Sequence, residues 1–338
     1  MRKKIIYIVA LLLVCVIVMA VVTYTMFYGT AVSQRTIVTI DGDISYAEQA
    51  NSVKEVIDKD LAFDVYAWHI NLTRGIEAGR YTFDAGMSVI DVARRLKFGN
   101  DGTVRLRINN ALTPEALAEK VASQIDADYE DIIAALRDTA IIQQMGFDTA
   151  EAMFSIFLPN TYEVYANISA KGFIERMKAE SDKYWAAEQR QEQLRRLDMT
   201  PYEVMTLASI VHMETSAKEE MSRVAGVYIN RLRSGMPLQA DPTVKYAVGD
   251  PALKRILYRH LEVNSPYNTY KYVGLPPTPI AMPDMAVIEA VLDYEEHDYY
   301  YFCARPEMDG RHNFARSHRE HERNARAYHR ALESMNIR

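Results

Sequence analysis

Arg2, Lys3 and Lys4 are followed by thirty positions, Ile5 to Gln34, without a single charge, and Ile5–Phe27 is apolar almost without a break. A helix rises 1.5 Å per residue, so about 20 residues cross the hydrocarbon core of a bilayer. This run of 23 is long enough. A cleaved secretory signal normally has an apolar region of only ~7–15 residues. Ala31-Val32-Ser33 keeps that alternative open as a cleavage site. The cationic tip stays on the cytoplasmic side of such a helix. The reading is a tip over residues 1–4, a transmembrane helix over 5–27, and a working part outside the cytoplasm.

The remainder has room for two domains at roughly 150 residues each, since the whole chain has 338 residues. Its 49% hydrophobic and 25% charged residues exclude wholesale disorder. A net charge of −6 and a pI near 5.8 argue against nucleic acid as a partner. Cys15 falls in the apolar run and Cys303 far beyond it, so no disulfide framework is expected.

Residues 35–43 alternate as a strand, and Ala78–Phe83 reads as a turn entering another. Ser88 precedes Asp91 at capping-box spacing, with Val89, Val92, Ala93 and Leu96 at helical intervals and Gly99 as the stop. Thr103–Ile108 alternates as a strand, and Thr113-Pro114 opens a helix with Leu117, Val121 and Ile125 on one face. The charge-rich residues 175–198 read as a solvated connecting helix. Thr200-Pro201-Tyr202-Glu203 combines a Thr N-cap, a Pro at the first helical position and a Glu at the third. Val204, Leu207, Ala208 and Val211 then mark a buried face, and Ser216 with Glu219 repeats the capping spacing before a helix that ends near Gly235. Tyr299–Ala304 reads as a buried strand.

Glu214 continues that buried face, three residues after Val211, at the C-terminal end of its helix. Burial and the negative end of the macrodipole both disfavour a carboxylate, so its pKa should rise. A carboxyl that keeps its proton near neutrality can protonate the leaving oxygen of a glycosidic bond. The competing reading is a helix-end glutamate paired with an Arg or a hydroxyl. Five prolines between Pro266 and Pro283 stiffen the loop that carries Tyr267, Asn268, Thr269 and Tyr270. His318, His321 and His329 sit in a charged helix without a zinc-binding pattern, so neither a metal nor any other cofactor is expected.

At these positions the chain resembles the endolytic murein transglycosylases (the MltG or YceG-like family). The segments that match are Leu207–Thr215, Val227–Leu232, Leu238–Val244, Tyr267–Tyr270, Gly274–Pro277, Pro279–Ala281 and His312–Phe314 followed by His321, with Ala78–Tyr81 and Phe157–Tyr162 upstream. The resemblance implies an α+β protein: an N-terminal transmembrane helix, a small LysM-like βα module at about 78–135 within residues 35–170, a connecting helix over 171–199, and a mixed α/β catalytic domain over 200–338. It implies a lytic transglycosylase that cuts the MurNAc-β-1,4-GlcNAc bond of peptidoglycan from the periplasmic side of the inner membrane, leaves 1,6-anhydro-MurNAc ends and terminates nascent strands. Its partners would be glycan strands, the membrane and peptidoglycan synthases. The catalytic glutamate of the family falls on Glu214. Gln239, Asp241, Asn268 and Thr269 become candidates for gripping glycan, with Thr243, Tyr267, His312, Phe314 and His321 of the matching segments beside them. Three departures stand out: His212 where the family often has a second glutamate, Asn110-Ala111-Leu112 where Glu-Gly is usual, and Glu322 in place of an Asn. A wall-binding scaffold without chemistry and a muramidase that uses water remain the alternatives.

Overall fold

The computed structural model describes residues 2–334 except Asp43, residues 100–102, Asn110, residues 251 and 252, and Lys254, with side chains from Leu13 onward. The departure noted at Asn110 therefore lies outside the described residues, as does Asp43 at the end of the first expected strand. The chain divides into two compact units.

The first unit comprises residues 1–106, 122–132 and 162–173. It begins with helix α1 (Arg2–Tyr28), followed by β1 (Thr36–Ile40), α2 (Tyr46–Lys54), α3 (Asp60–His69), β2 (Gly79–Phe83) and α4 (Val89–Phe98). Strands β1 and β2 pair antiparallel, Val38 opposite Tyr81 and Ile40 opposite Gly79. Alternation puts Val38, Ile40, Tyr81 and Phe83 on the covered face, where they join Val53, Phe63, Leu72, Val92 and Leu96 in one core. Ile37, one position out of phase, is half exposed. The Ser88–Asp91 capping box forms in both directions, and Ser45–Glu48 makes a second one at the start of α2. Buried Gln49 satisfies its amide on the backbone of Asp41 and Ile76, which ties α2 to the loop before β2. Among the described residues no helix is long and apolar enough to cross a membrane.

Strand β3 (Thr103–Ile108) leads out of the first unit; α5 (Pro114–Ala122), α6 (Tyr129–Arg137, its first turn in the first unit), α7 (Thr139–Gln144) and α8 (Ala150–Met153) then precede β4 (Asn160–Tyr165), the partner of β3. Helix α5 stops three residues short of Ile125, which is buried outside it. The strands at 79–83 and 103–108 pair with β1 and β4, both outside 78–135. Residues 107–121 and 133–161 belong with the second unit, because β3 and β4 pass the chain between the two.

The second unit continues with α9 (Ala170–Ala186), α10 (Glu188–Leu197), α11 (Pro201–Glu214), α12 (Met221–Arg233), α13 (Asp241–Val248), α14 (Tyr258–Leu261), α15 (Met285–Leu292), β5 (Tyr301–Ala304), β6 (His312–Ala315) and α16 (His318–Ser334). Residues 175–198 are two helices broken at Ala187, and they are not a solvated connector. Trp185, Leu194 and Leu197 enter the core, and Arg190 grips Glu289 of α15 with two bonds of 2.6 and 2.7 Å. Helix α11 is the axis of this unit. Every side chain from Val204 to Val211 is buried, the pattern of a helix covered on all sides rather than on one face. Its Thr200–Glu203 capping box is formed. The Ser216–Glu219 box is absent: a 3-10 turn at Lys218–Glu220 feeds α12, whose cap residue is Glu220 with no side-chain bond.

Candidate active site

Helix α11 ends at Glu214, and its last carboxyl enters a cleft of about 360 Å³ in the second unit. Crowding by protein pushes the Glu214 pKa up to about 7; the charge of Asp241 adds to the rise, and a hydrogen bond donated by Tyr228 works against it. Tyr228 is fully buried on α12, and burial beside Glu214 raises its own pKa, so its hydroxyl remains a donor.

One turn further along α12, Arg231 shares this face of the helix. Its guanidinium donates to the carbonyls of Tyr300 (2.6 Å), Pro237 (3.1 Å) and Leu238 (2.8 Å) and to the Gln239 side-chain oxygen (3.2 Å), and it stacks over the Tyr301 ring. Arg231 thereby pins the loop that leads to Asp241. Gln239 in that loop has φ +53°, a left-handed conformation that non-glycine residues seldom adopt. Its N–H donates to Thr269 O at 3.0 Å, and the next N–H, of Ala240, donates to Thr269 Oγ1 at 3.0 Å. These bonds hold the strained turn in place.

Asp241 opens α13 and accepts a 2.7 Å hydrogen bond from the Tyr270 hydroxyl. Burial and the Asp241 charge keep Tyr270 protonated by raising its pKa. Across the cleft, Phe302, Cys303 and Ala304 of β5 form a wall with His312 and His321. Strand β5 is only partly buried and borders this opening, in contrast to the fully buried strand expected at 299–304. His312 is oriented by buried Glu220, which accepts from its Nδ1 at 3.0 Å and from its backbone N–H. His321 stacks on Tyr301, and burial lowers its pKa, so the ring is neutral at pH 7.

Of the ten residues singled out from sequence, the cleft brings together Glu214, Gln239, Asp241, His312 and His321. The other five stand behind it. Asn268 and Thr269 are fully buried: the Asn268 amide donates to Leu261 O and Val263 O, and Thr269 bonds Thr243 Oγ1 at 2.8 Å. Thr243 is also fully buried and closes onto Ala240 O. Tyr267 spends its hydroxyl on Thr278, and Phe314 packs against Phe302 under the Arg223 guanidinium. None of these five is among the residues lining the cleft; the polar groups of Thr243, Tyr267, Asn268 and Thr269 are engaged inside the protein, and Phe314 has no polar side-chain atom to offer. His212 lies outside the lining, 4.0 Å from Asp284.

Tyr228, Arg231, Tyr270 and Glu220 were not anticipated. The first three sit inside the matching segments, and the i, i+3 spacing of Tyr228 and Arg231 is their one local signal. Nothing local marks Glu220, whose partner is 92 residues away. Among the described residues no cluster of His, Cys, Asp and Glu is arranged to hold a metal.

Residues 38–327 match the profile of the YceG-like family. An endolytic murein transglycosylase of Bacillus subtilis is 29% identical over 289 residues, 81% of this chain and 79% of that protein. A protein of the same name from Streptococcus pneumoniae is 28% identical across 82% of this chain, which spans 54% of its length. A crystal structure of a yceG-like protein from Listeria monocytogenes superposes with a TM-score of 0.54 at 25% identity, covering 86% of this chain and 98% of that one. With its mixed α/β fold and this match over most of its length, the chain belongs to the YceG-like family.

Proposed function

We propose that this chain is a lytic transglycosylase that cleaves the MurNAc-β-1,4-GlcNAc bond inside peptidoglycan strands, forms 1,6-anhydro-MurNAc ends and so terminates nascent strands. The observation that carries this reading is a carboxyl at the floor of a cleft, held as an acid up to about pH 7. Glu214 donates its proton to the leaving oxygen. The resulting carboxylate then takes the proton of the sugar's own 6-hydroxyl as that oxygen attacks the anomeric carbon. An intramolecular nucleophile has effective molarities of ~10⁵–10⁸ M, so no water need be activated. The Asp241 charge helps keep Glu214 protonated by raising its pKa, and the Tyr228 hydrogen bond steadies the carboxylate formed between the two steps. Gln239, His312 and His321 are the groups placed to contact the glycan.

Asp241 also supports a second reading. Hydrolytic glycosidases use two carboxylates about the scissile bond, and Asp241 lines the same cleft as Glu214. Peptidoglycan digested in ¹⁸O-water and analysed by mass spectrometry separates the two. Unlabelled 1,6-anhydro ends are expected; label at the muramic terminus would establish a muramidase, and no cleavage at all a scaffold.

The chain acts as a single-pass protein anchored in the inner membrane, with the rest outside the cytoplasm. What supports this is the sequence itself: the uncharged run Ile5–Phe27 has 23 residues, enough to cross the hydrocarbon core of a bilayer as a helix. Glycan strands under synthesis would lie close to that anchor, which makes peptidoglycan synthases its natural partners.

A further inference from the structure

Helix α3 is apolar on two faces. Ala62, Phe63 and Ala67 are buried in the core of the first unit, whereas Leu61, Val65 and Trp68 recur at i, i+4 and i+7 on the outside, exposed at 66%, 49% and 73%. A helix with a water-facing side carries polar residues there. Beside exposed Asp60 and Asp64, the latter paired with Lys54 at 2.7 Å, this one carries a leucine, a valine and the more exposed of the chain's two tryptophans.

The stripe is fastened to the end of α1. Lys59, at the N-cap of α3, donates to Thr25 O at 2.7 Å and to Gly29 O at 2.8 Å, and Tyr66 packs on Phe27. Val65 and Trp68 share a concavity of about 340 Å³ with Thr23, Tyr24 and Tyr28 of α1. Thr23 and Tyr24 lie inside the apolar run, so the concavity borders the end of that run. Tyr24 and Tyr28 stack at 5.2 Å. Tyrosine and tryptophan collect at the headgroup level of membranes, where one end of the ring is wet and the other dry.

We propose that Leu61, Val65 and Trp68, together with Tyr24 and Tyr28, form a lipid-binding surface that seats α3 in the headgroup–acyl boundary of a phospholipid bilayer. The inference rests on α1 being the membrane anchor. It goes further, because α3 then lies in the interface and the first unit rests on the bilayer instead of swinging on a tether. A second copy or a protein partner would cover the same stripe, but neither explains its continuity with the end of the apolar run.

The full chain, reconstituted into nanodiscs of phosphatidylethanolamine and phosphatidylglycerol with brominated acyl chains, tests this. Bromine quenches tryptophan only on close approach. Trp185 is buried in the core of the second unit, and the exposed Trp68→Phe variant identifies the Trp68 share of the emission by difference. Most of the Trp68 emission should be lost, with that of Trp185 unchanged. Unquenched Trp68 in chains that do enter the nanodiscs would overturn the lipid surface and leave the anchor standing. Unquenched but blue-shifted emission there would assign the stripe to a second copy. Chains that fail to enter would overturn both readings.

Discussion

A single titration organises the cleft at the scale of residues. The Glu214 carboxyl takes up its proton near pH 7, against an ordinary value of 4.5. Between those limits the folded chain keeps a proton that the unfolded chain has released, so stability falls as pH rises through the window. Acid catalysis should decline as pH rises through about 7. Glu214→Gln should lower strand cleavage by the ~10²–10⁴-fold typical of acid–base groups and flatten the pH dependence of stability, checked by product assay and by denaturation at several pH values. Wild-type-like cleavage by that variant would remove Glu214 from the chemistry. The neighbours should act in opposite directions. Asp241→Asn removes a charge that favours the proton, so the alkaline limb of the rate profile should move to lower pH. Tyr228→Phe removes a donor to the carboxylate, so that limb should move to higher pH. Shifts of the same sign in both variants would contradict the assigned roles.

Helices α11 and α12 meet at Glu214, and the precision of that meeting is a property of elements. A Cβ built on Gly226 of α12 would stand 2.4 Å from Glu295 O and 2.7 Å from His297 Nε2, and the first of these is backbone that cannot swing away. Gly226→Ala should therefore destabilise by ~1–3 kcal/mol or more, the usual cost of overpacking, seen as a lower denaturation midpoint. At the other end of α11, Thr200→Ala removes the side-chain half of a formed capping box, while the backbone N–H of residue 200 still donates to Glu203, and should cost about 1 kcal/mol. Because Thr200 lies a full helix length from Glu214, its loss should leave the pH profile in place. A shift in that profile would mean that the start of α11 is coupled to the carboxyl.

The scale of the whole molecule is governed by the uncharged run in α1. Protease added to intact spheroplasts should digest the region beyond Tyr28 and leave a short embedded stub, and alkaline carbonate should not extract the full-length chain. Release into the soluble fraction with a new N-terminus near Gln34 would show instead that the run is a cleaved signal.

Local order determined a good part of this protein. Capping residues three apart, a Pro at the first helical position and apolar residues at helical or alternating spacing depend only on near neighbours, so α4, α11 and β3 were legible with their ends. The same near-neighbour logic placed Glu214 on a crowded helix end and raised its pKa. Direction was not legible for the polar residues of the loops. Asn268, Thr269 and Thr243 have the chemistry of sugar-binding groups, yet the fold turns them inward, Thr269 and Thr243 to hold Gln239 and Ala240, and Asn268 to hold the backbone of Leu261 and Val263. The partners of Glu214 come from α12, from the start of α13 and from the loop at Tyr270, while Glu220 waits 92 residues from His312. Periodicity is blind to such pairs. They exist because burying α11 on every side brings distant segments to one end of it, and only the tertiary packing decides which side chains then face each other across the cleft.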